Sequence, residues 1–143
     1  MSIVDKFGEK VGEIAEKDPV KARKLLLAGY RLQEKRLVLF PDRKLPMSGQ
    51  YVAKVVMNNI IQALAKPENA AMVSIFVPGE LLTAAGLTPY SVEALSCFMA
   101  GTKCEQTFLK QTEKEGFPET MCSYHRVFLG AALNGIVPKP KCM

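Results

Sequence analysis

The sequence is poor in the features that mark several large classes of protein. No apolar run approaches the roughly 20 residues that cross a bilayer. The longest, LLLAG and ALSCFMAG, are core-sized, so no membrane role is expected. The N-terminal MSIVDKFGEK is charged and lacks the apolar stretch of a secretory signal, which makes the cytoplasm the expected compartment. Positive charge is not clustered either. The net +5 comes from lysines and arginines that alternate with acids in DKFGEKVGEIAEKDPVKARK and LKQTEKEG. Such alternation marks solvated helix faces and argues against nucleic-acid binding, which needs clustered cations interleaved with aromatics. Repeats and low-complexity tracts are absent. What is left is 48% hydrophobic and 23% charged over 143 residues: enough chain for one domain with a real core, and too little for two ordinary ones.

Histidine is scarce as well; His125 is the only one. The four cysteines, Cys97, Cys104, Cys122 and Cys142, are spaced C-x6-C-x17-C-x19-C. There is no Cys-x-x-Cys pair, so a zinc ribbon or a thioredoxin-like site gains little support. Without an export signal, disulfides are not expected. All four cysteines nevertheless lie after residue 96.

The first 66 residues read as helical. Ser2 can cap a helix reaching about Lys17, with Ile3, Val4, Phe7, Val11 and Ile14 on one face. Asp18-Pro19 is an N-cap and first-turn pair for a second helix, whose stripe is Leu25, Leu26, Gly29, Tyr30, Leu32 and Leu37. FPDRKLPMSG should be a loop. A third helix follows Ser48, with Tyr51, Val52, Val55, Val56, Ile60 and Leu64 expected on its inner side, and Pro67 ends it.

From residue 67 the texture changes. AMVSIFVP reads as a buried strand and GELLTAAG as a short helix closed by Gly86. A second strand is expected from Thr88 to Val92. A polar helix from Thr102 or Lys103 to Glu115, anchored by Phe108 and Leu109, stops at Gly116. Thr120 can cap a helix from Met121 to Asn134, with Gly135 as its end, and IVPKPKCM is a third strand start or a tail. The predicted fold is α/β: a helical N-terminal half (1–66) followed by a partial Rossmann-like parallel sheet with flanking helices (67–143), the two forming one compact unit. So few strands make a narrow sheet, which suggests a fragment or a chain that completes its sheet with a partner.

The segment MCSYHRVFLGAAL places a cysteine, a histidine and an arginine at a helix start. Free backbone N–H groups there favour a thiolate at Cys122, with His125 at i+3 and Arg126 at i+4 on the neighbouring surface. Cys122 can be a nucleophile, a metal ligand or a small packing residue. A cysteine hydrolase also needs an orienting Asn or Asp and an oxyanion hole, and neither stands out. Cys97, in ALSCFMAG, is expected in the core. Cys104 opens the polar helix and fits either environment.

Two stretches carry a family resemblance. In VPGELLTAAGLTP, residues Pro78, Glu80, Leu81, Leu82, Ala84, Ala85, Gly86 and Pro89 match one pattern. In CSYHRVFLG, residues Cys122, Ser123, Tyr124 and Arg126 match another, C-S-Y-x-R. Together, over roughly residues 50 to 143, they resemble the electron-activated 2-hydroxyacyl-CoA dehydratases, whose relatives include the benzoyl-CoA reductases. The resemblance implies an N-terminal fragment, because subunits of that family are about three times as long and are built from Rossmann-like domains. It also implies a [4Fe–4S] cluster held by three cysteines, an acyl-CoA substrate, a second dehydratase subunit, and an ATP-hydrolysing activator protein that delivers one electron. The complete protein would be a lyase that eliminates water through a ketyl radical, with thiolates as suitable cluster ligands.

By this resemblance Cys122 matches the first ligand and Cys142 falls where a second is expected, although Met143 stands where the family usually has an acid. Glu80 matches a carboxylate near the substrate, and by position alone it is an ordinary acid in a first helical turn. Ser123, Tyr124, His125 and Arg126 would support the ligand. The isolated chain is expected to be inactive. The alternative is a non-catalytic, self-associating or partner-binding module of the same family, forming a homo-oligomer through its helical half or an open sheet edge. A small zinc site using Cys122 and His125 is the third reading.

Overall fold

The computed structural model describes residues 2–143. At the N-terminus, Ser2 Oγ accepts the Asp5 N–H at 3.1 Å and the Asp5 carboxylate accepts the Ser2 N–H at 2.6 Å. This reciprocal capping box starts α1 (Ile3–Ala15) and is worth about 1 kcal/mol. The Asp18 carboxylate caps α2 (Pro19–Leu39) through the Lys21 N–H, with Pro19 in the first turn. The helix α3 (Met47–Ala65) returns alongside α2 and ends at Pro67. Between them Gln50 fixes the loop: its amide donates to the carbonyls of Asp42 (2.8 Å) and Leu45 (2.9 Å), and its oxygen accepts the Asp42 N–H.

Burial on α2 stops at Tyr30, and on α3, apart from Gln50, it starts at Met57. The intervening hairpin arm therefore projects beyond the core. This overturns the expected inner face of α3. Ile60 and Leu64 are buried with Met57 and Ile61, whereas Tyr51, Val52 and Val55 are exposed. Leu32 on α2 is exposed as well. The periodic signal is present, but no third element lies against that part of it.

The sheet is small and parallel. β1 (Ala70–Val73) pairs with β2 (Thr88–Ser91) in the register Ala70↔Thr88 to Val73↔Ser91. On the other edge of β1, Cys142 forms a parallel bridge to Ala71. There Met72 N–H donates to Cys142 O and Lys141 N–H donates to Ala70 O, both at 2.9 Å. The expected third strand is thus present as a single bridge, and β1 lies between its two partners.

The strand expected through AMVSIFVP is shorter and begins earlier than the sequence suggested. After Val73 the chain turns, with Val77 N–H donating to Ser74 O at 3.1 Å, and Ile75, Phe76 and Val77 are exposed, Phe76 at 91%. Their β-branched and aromatic character suits a strand, but β2 ends level with Val73 and offers nothing further to pair with. The helix α4 (Gly79–Ala84) follows, and Gly86 at φ +76° ends it, the left-handed backbone that glycine adopts without strain.

Three helices complete the fold: α5 (Val92–Gly101), α6 (Glu105–Lys114) and α7 (Ser123–Asn134). A single apolar core joins both halves of the chain, including Val11, Leu26, Ile60, Leu95, Phe108 and Val127. Tyr30 meets Phe98 edge to face, with centroids 6.0 Å apart. Arg23 of α2 donates to the carbonyls of Ile136 (2.8 Å) and Gly135 (3.0 Å), and Asn134 donates to Ala15 O, so the end of α7 is tied to the first two helices. Among the described residues, no helix is long and apolar enough to cross a membrane.

Candidate functional site at the carboxyl end of the sheet

In a parallel sheet, the carboxyl ends of the strands are where helices begin and ligands bind. Here that edge gathers Glu93, His125 and the exposed Cys122. Glu93, two residues after β2, accepts the Ser91 hydroxyl at 2.7 Å and the Ile75 N–H at 3.1 Å. It thereby joins the turn after β1 to the start of α5. The Ser91 hydroxyl bond, with smaller help from the Ile75 N–H and the nearby imidazole, holds the Glu93 carboxyl below its ordinary range. His125 Nε2 of α7 lies 3.9 Å from Glu93 Oε1, a loose electrostatic contact.

Cys122 stands immediately before α7, as its N-cap, and is exposed. No side-chain capping hydrogen bond closes there. The His125 side chain, followed by the backbone N–H groups of His125 and Tyr124, still pulls its thiol below the ordinary value. Thr120, expected as the cap, lies before this point in a turn, and the helix starts at Ser123.

α5 packs on α7 through Ser96, whose hydroxyl donates to Tyr124 O at 2.6 Å. That contact turns Cys97 outward: it is exposed, not in the core as its apolar context suggested. The Tyr124 hydroxyl is pushed above its ordinary value, first by the adjacent Cys97 thiol and also by Cys122. Cys104 is the buried one, where desolvation raises its thiol to about 11.

Arg126 does not lie over Cys122 as its spacing suggested. It is buried, with Nη2 donating to Glu113 Oε1 at 2.6 Å and Nη1 to Glu119 O at 3.5 Å. Those contacts tie α6 and the loop after it to α7. The desolvation cost of a guanidinium at that depth explains why it takes a carboxylate partner. Arg126 therefore positions the segment that presents Cys122.

The other expected site residues divide by edge. Glu80 is exposed in the first turn of α4, which leaves the carboxyl end of β1, so it shares the edge of Cys122. Ser123 opens α7 beside it. Cys142 is level with Ala71, near the amino end of β1, roughly 10 Å of strand short of Ser74; the sheet does not bring it to the carboxyl edge. Glu93 was not singled out from the sequence. Its only signal was a carboxylate just past a strand that a parallel sheet would place at the ligand edge.

A [4Fe–4S] cluster needs several thiolates facing one centre. The exposed, acidified sulfur of Cys122 fits one such bond. Among the described residues, however, no three His, Cys, Asp or Glu side chains converge to hold a metal. The residues present therefore do not make a complete ligand set.

Two parallel strands with flanking helices and an exposed thiol at the carboxyl edge define an α/β layer. Residues 74–143, just under half of the chain, match the family model described as 2-hydroxyglutaryl-CoA dehydratase, D-component, which supports a dehydratase-family fragment. No curated protein and no solved structure matches the chain.

Proposed function

We propose that this chain serves in an electron-activated 2-hydroxyacyl-CoA dehydratase of the cytoplasm, with Cys122 as a cluster ligand. The observation that carries this reading is the placement of Cys122: exposed, acidified by His125 and the α7 N-terminus, and on the ligand edge of the sheet within the family-matched stretch. Such a cluster, held by Cys122 and ligands from elsewhere, would supply one-electron reduction of a thioester carbonyl. The chain's own residues present one thiolate, and Arg126 with Glu113 fixes the segment that carries it. Glu80, on the same edge, is the carboxylate available to the substrate. On this reading a partner polypeptide supplies the remaining ligands, since among the described residues no three-donor group assembles. On this reading the chain acts only together with that polypeptide. A second dehydratase subunit and an ATP-hydrolysing activator protein are the partners.

The test is anaerobic reconstitution with iron and sulfide, in the presence of a small thiol that can fill open iron positions. Cys122→Ser is expected to lose most iron uptake, whereas Cys142→Ser, altered at the other end of the sheet, is expected to keep most of it. Equal uptake by Cys122→Ser and the unmodified chain contradicts the reading.

The exposed arm supports a second reading, a self-associating or partner-binding module. Val38, Leu39, Phe40, Leu45, Met47 and Tyr51 are all exposed along it, a density of large apolar side chains that marks interaction surfaces. Light scattering is expected to give a mass above one chain at tens of micromolar; a strict monomer removes this reading.

A further inference from the structure

A cavity of about 230 Å³ opens at the carboxyl ends of β1 and β2, between α3 and α5. Val56, Val73, Ile75, Val77, Pro89 and Ala94 give it mostly apolar walls, Asn59, Ser74, Tyr90 and Ser91 are its neutral polar lining, and no lysine, arginine or histidine lines it. It is open on one side, where Ile75 and Val77 are exposed, and its volume is larger than the roughly 150 Å³ of an enclosed apolar cavity that takes up benzene. Two of its lining residues, Ile75 and Ser91, donate to the Glu93 carboxylate, so the charge beside its rim is negative. Glu93 in turn faces His125, the neighbour of Cys122. The cavity and the thiol therefore belong to one edge, joined through a single carboxylate.

From the wall chemistry and the sign of the rim we infer that this cavity receives the uncharged hydrocarbon end of an acyl thioester and rejects an acyl chain ending in a carboxylate. The inference rests on the dehydratase-type reading for its thioester, and it specifies which acyl class that site takes. A terminal carboxylate seated here would exchange its water for mostly apolar walls and the neutral groups of Asn59, Ser74 and Tyr90, gain no cation, and lie near Glu93. An aliphatic end of the same shape loses nothing by leaving water. The matched family is described by a glutaryl thioester, whose distal carboxylate this cavity does not accommodate. The chain therefore departs from that substrate toward an apolar one.

The experiment compares glutaryl-CoA with 5-methylhexanoyl-CoA, in which an isopropyl group replaces the carboxylate, and with coenzyme A alone. Binding to the iron-free chain is followed by the backbone amide resonances of Ser74, Ile75, Ser91 and Ala94. The branched thioester is expected to shift these resonances, glutaryl-CoA to bind at least ~10-fold more weakly, and coenzyme A to leave them unmoved. Ser74→Arg places a cation at the exposed mouth without touching the core and is expected to narrow or reverse the preference. Glutaryl-CoA binding as tightly as its isostere overturns the inference, as do shifts confined to other residues or the absence of binding by either thioester. Iron plays no part in this readout. Loss of the acyl preference with Cys122-dependent iron uptake intact removes the pocket alone, and the converse removes the cluster reading alone.

Discussion

Alkylation of the native protein at neutral pH is expected to modify Cys122 first and Cys104 last, with rates at least ~100-fold apart. Thiolate fractions set this order. Desolvation lifts the Cys104 thiol to about 11, which leaves roughly one molecule in ten thousand ionised at pH 7. Cys122 is shifted in the opposite direction by the His125 side chain and the free amides of α7. Because its pKa is lowered, its thiolate persists to lower pH than an ordinary cysteine's, and reactivity is lost only as pH falls through that depressed value. Access widens the gap further, since Cys104 is buried beneath Thr102 and Met99 and Cys122 is exposed. Mass spectrometry of peptides after timed quenching gives both rates. His125→Ala is expected to move the Cys122 pH profile upward, because the largest cause of the shift is gone. Comparable rates for the two thiols, or a profile indifferent to His125, contradict this assignment.

Gly130→Ala is expected to destabilise the fold by roughly 3 kcal/mol, a loss of on the order of 10 °C in melting temperature. At Gly130, α7 crosses α6 so closely that an added Cβ would run into the backbone oxygen, carbon and Cα of Phe108. A side chain can rotate away from such a clash, but a helix backbone cannot. The two helices must separate, and Phe108, which is fully buried, leaves its place in the core. Gly49→Ala is the control. Nothing lies within 4 Å of its Cβ position, so alanine is expected to stabilise α3 by about 0.5–1 kcal/mol. Thermal denaturation of both variants measures the contrast, and a Gly130→Ala protein as stable as the parent contradicts the close crossing. Because α7 carries Cys122 at its start, the same substitution is also expected to slow Cys122 alkylation.

Several local signals in the sequence mark where elements begin and end, although Thr120 does not, since α7 starts at Ser123 with Cys122 as its N-cap. Ser2, Asp18-Pro19, Gly86, Gly116 and Gly135 each act within a few residues, through a cap or a left-handed turn, and each sits where an element starts or stops. The α/β alternation was legible from the change of texture at residue 67, and the C-terminal stretch, read as a strand start or a tail, forms a single bridge. Features that depend on a distant partner were not. Ile75, Phe76 and Val77 have strand-forming side chains, but a strand needs a neighbour, and β2 ends at Ser91. The apolar row on α3 points into water along the arm because α2 is its only companion there. Arg126 turned away from Cys122 toward Glu113, thirteen residues earlier and on another helix. Cys97 looked like core because its neighbours in sequence are apolar, yet the Ser96–Tyr124 contact sets α5 so that Cys97 faces out.

The candidate site divides along the same line. Cys122 was legible because its setting is made by its own helix. Glu93 was not, because its role arises only when β1 and β2 lie side by side and bring Ile75, Ser91 and His125 to one carboxylate. Cys142 illustrates the converse. Its order in the chain suited a second ligand, but sheet register, which chain order does not reveal, placed it level with Ala71.

The most direct test of the account is a cysteine footprint taken before and after anaerobic loading with iron, sulfide and a small thiol. Iron is expected to protect Cys122 from alkylation and to leave Cys142 as reactive as before. A loaded protein in which Cys122 alkylates at its original rate, or a chain that takes up no iron at all, would contradict the claim that this sulfur is the ligand.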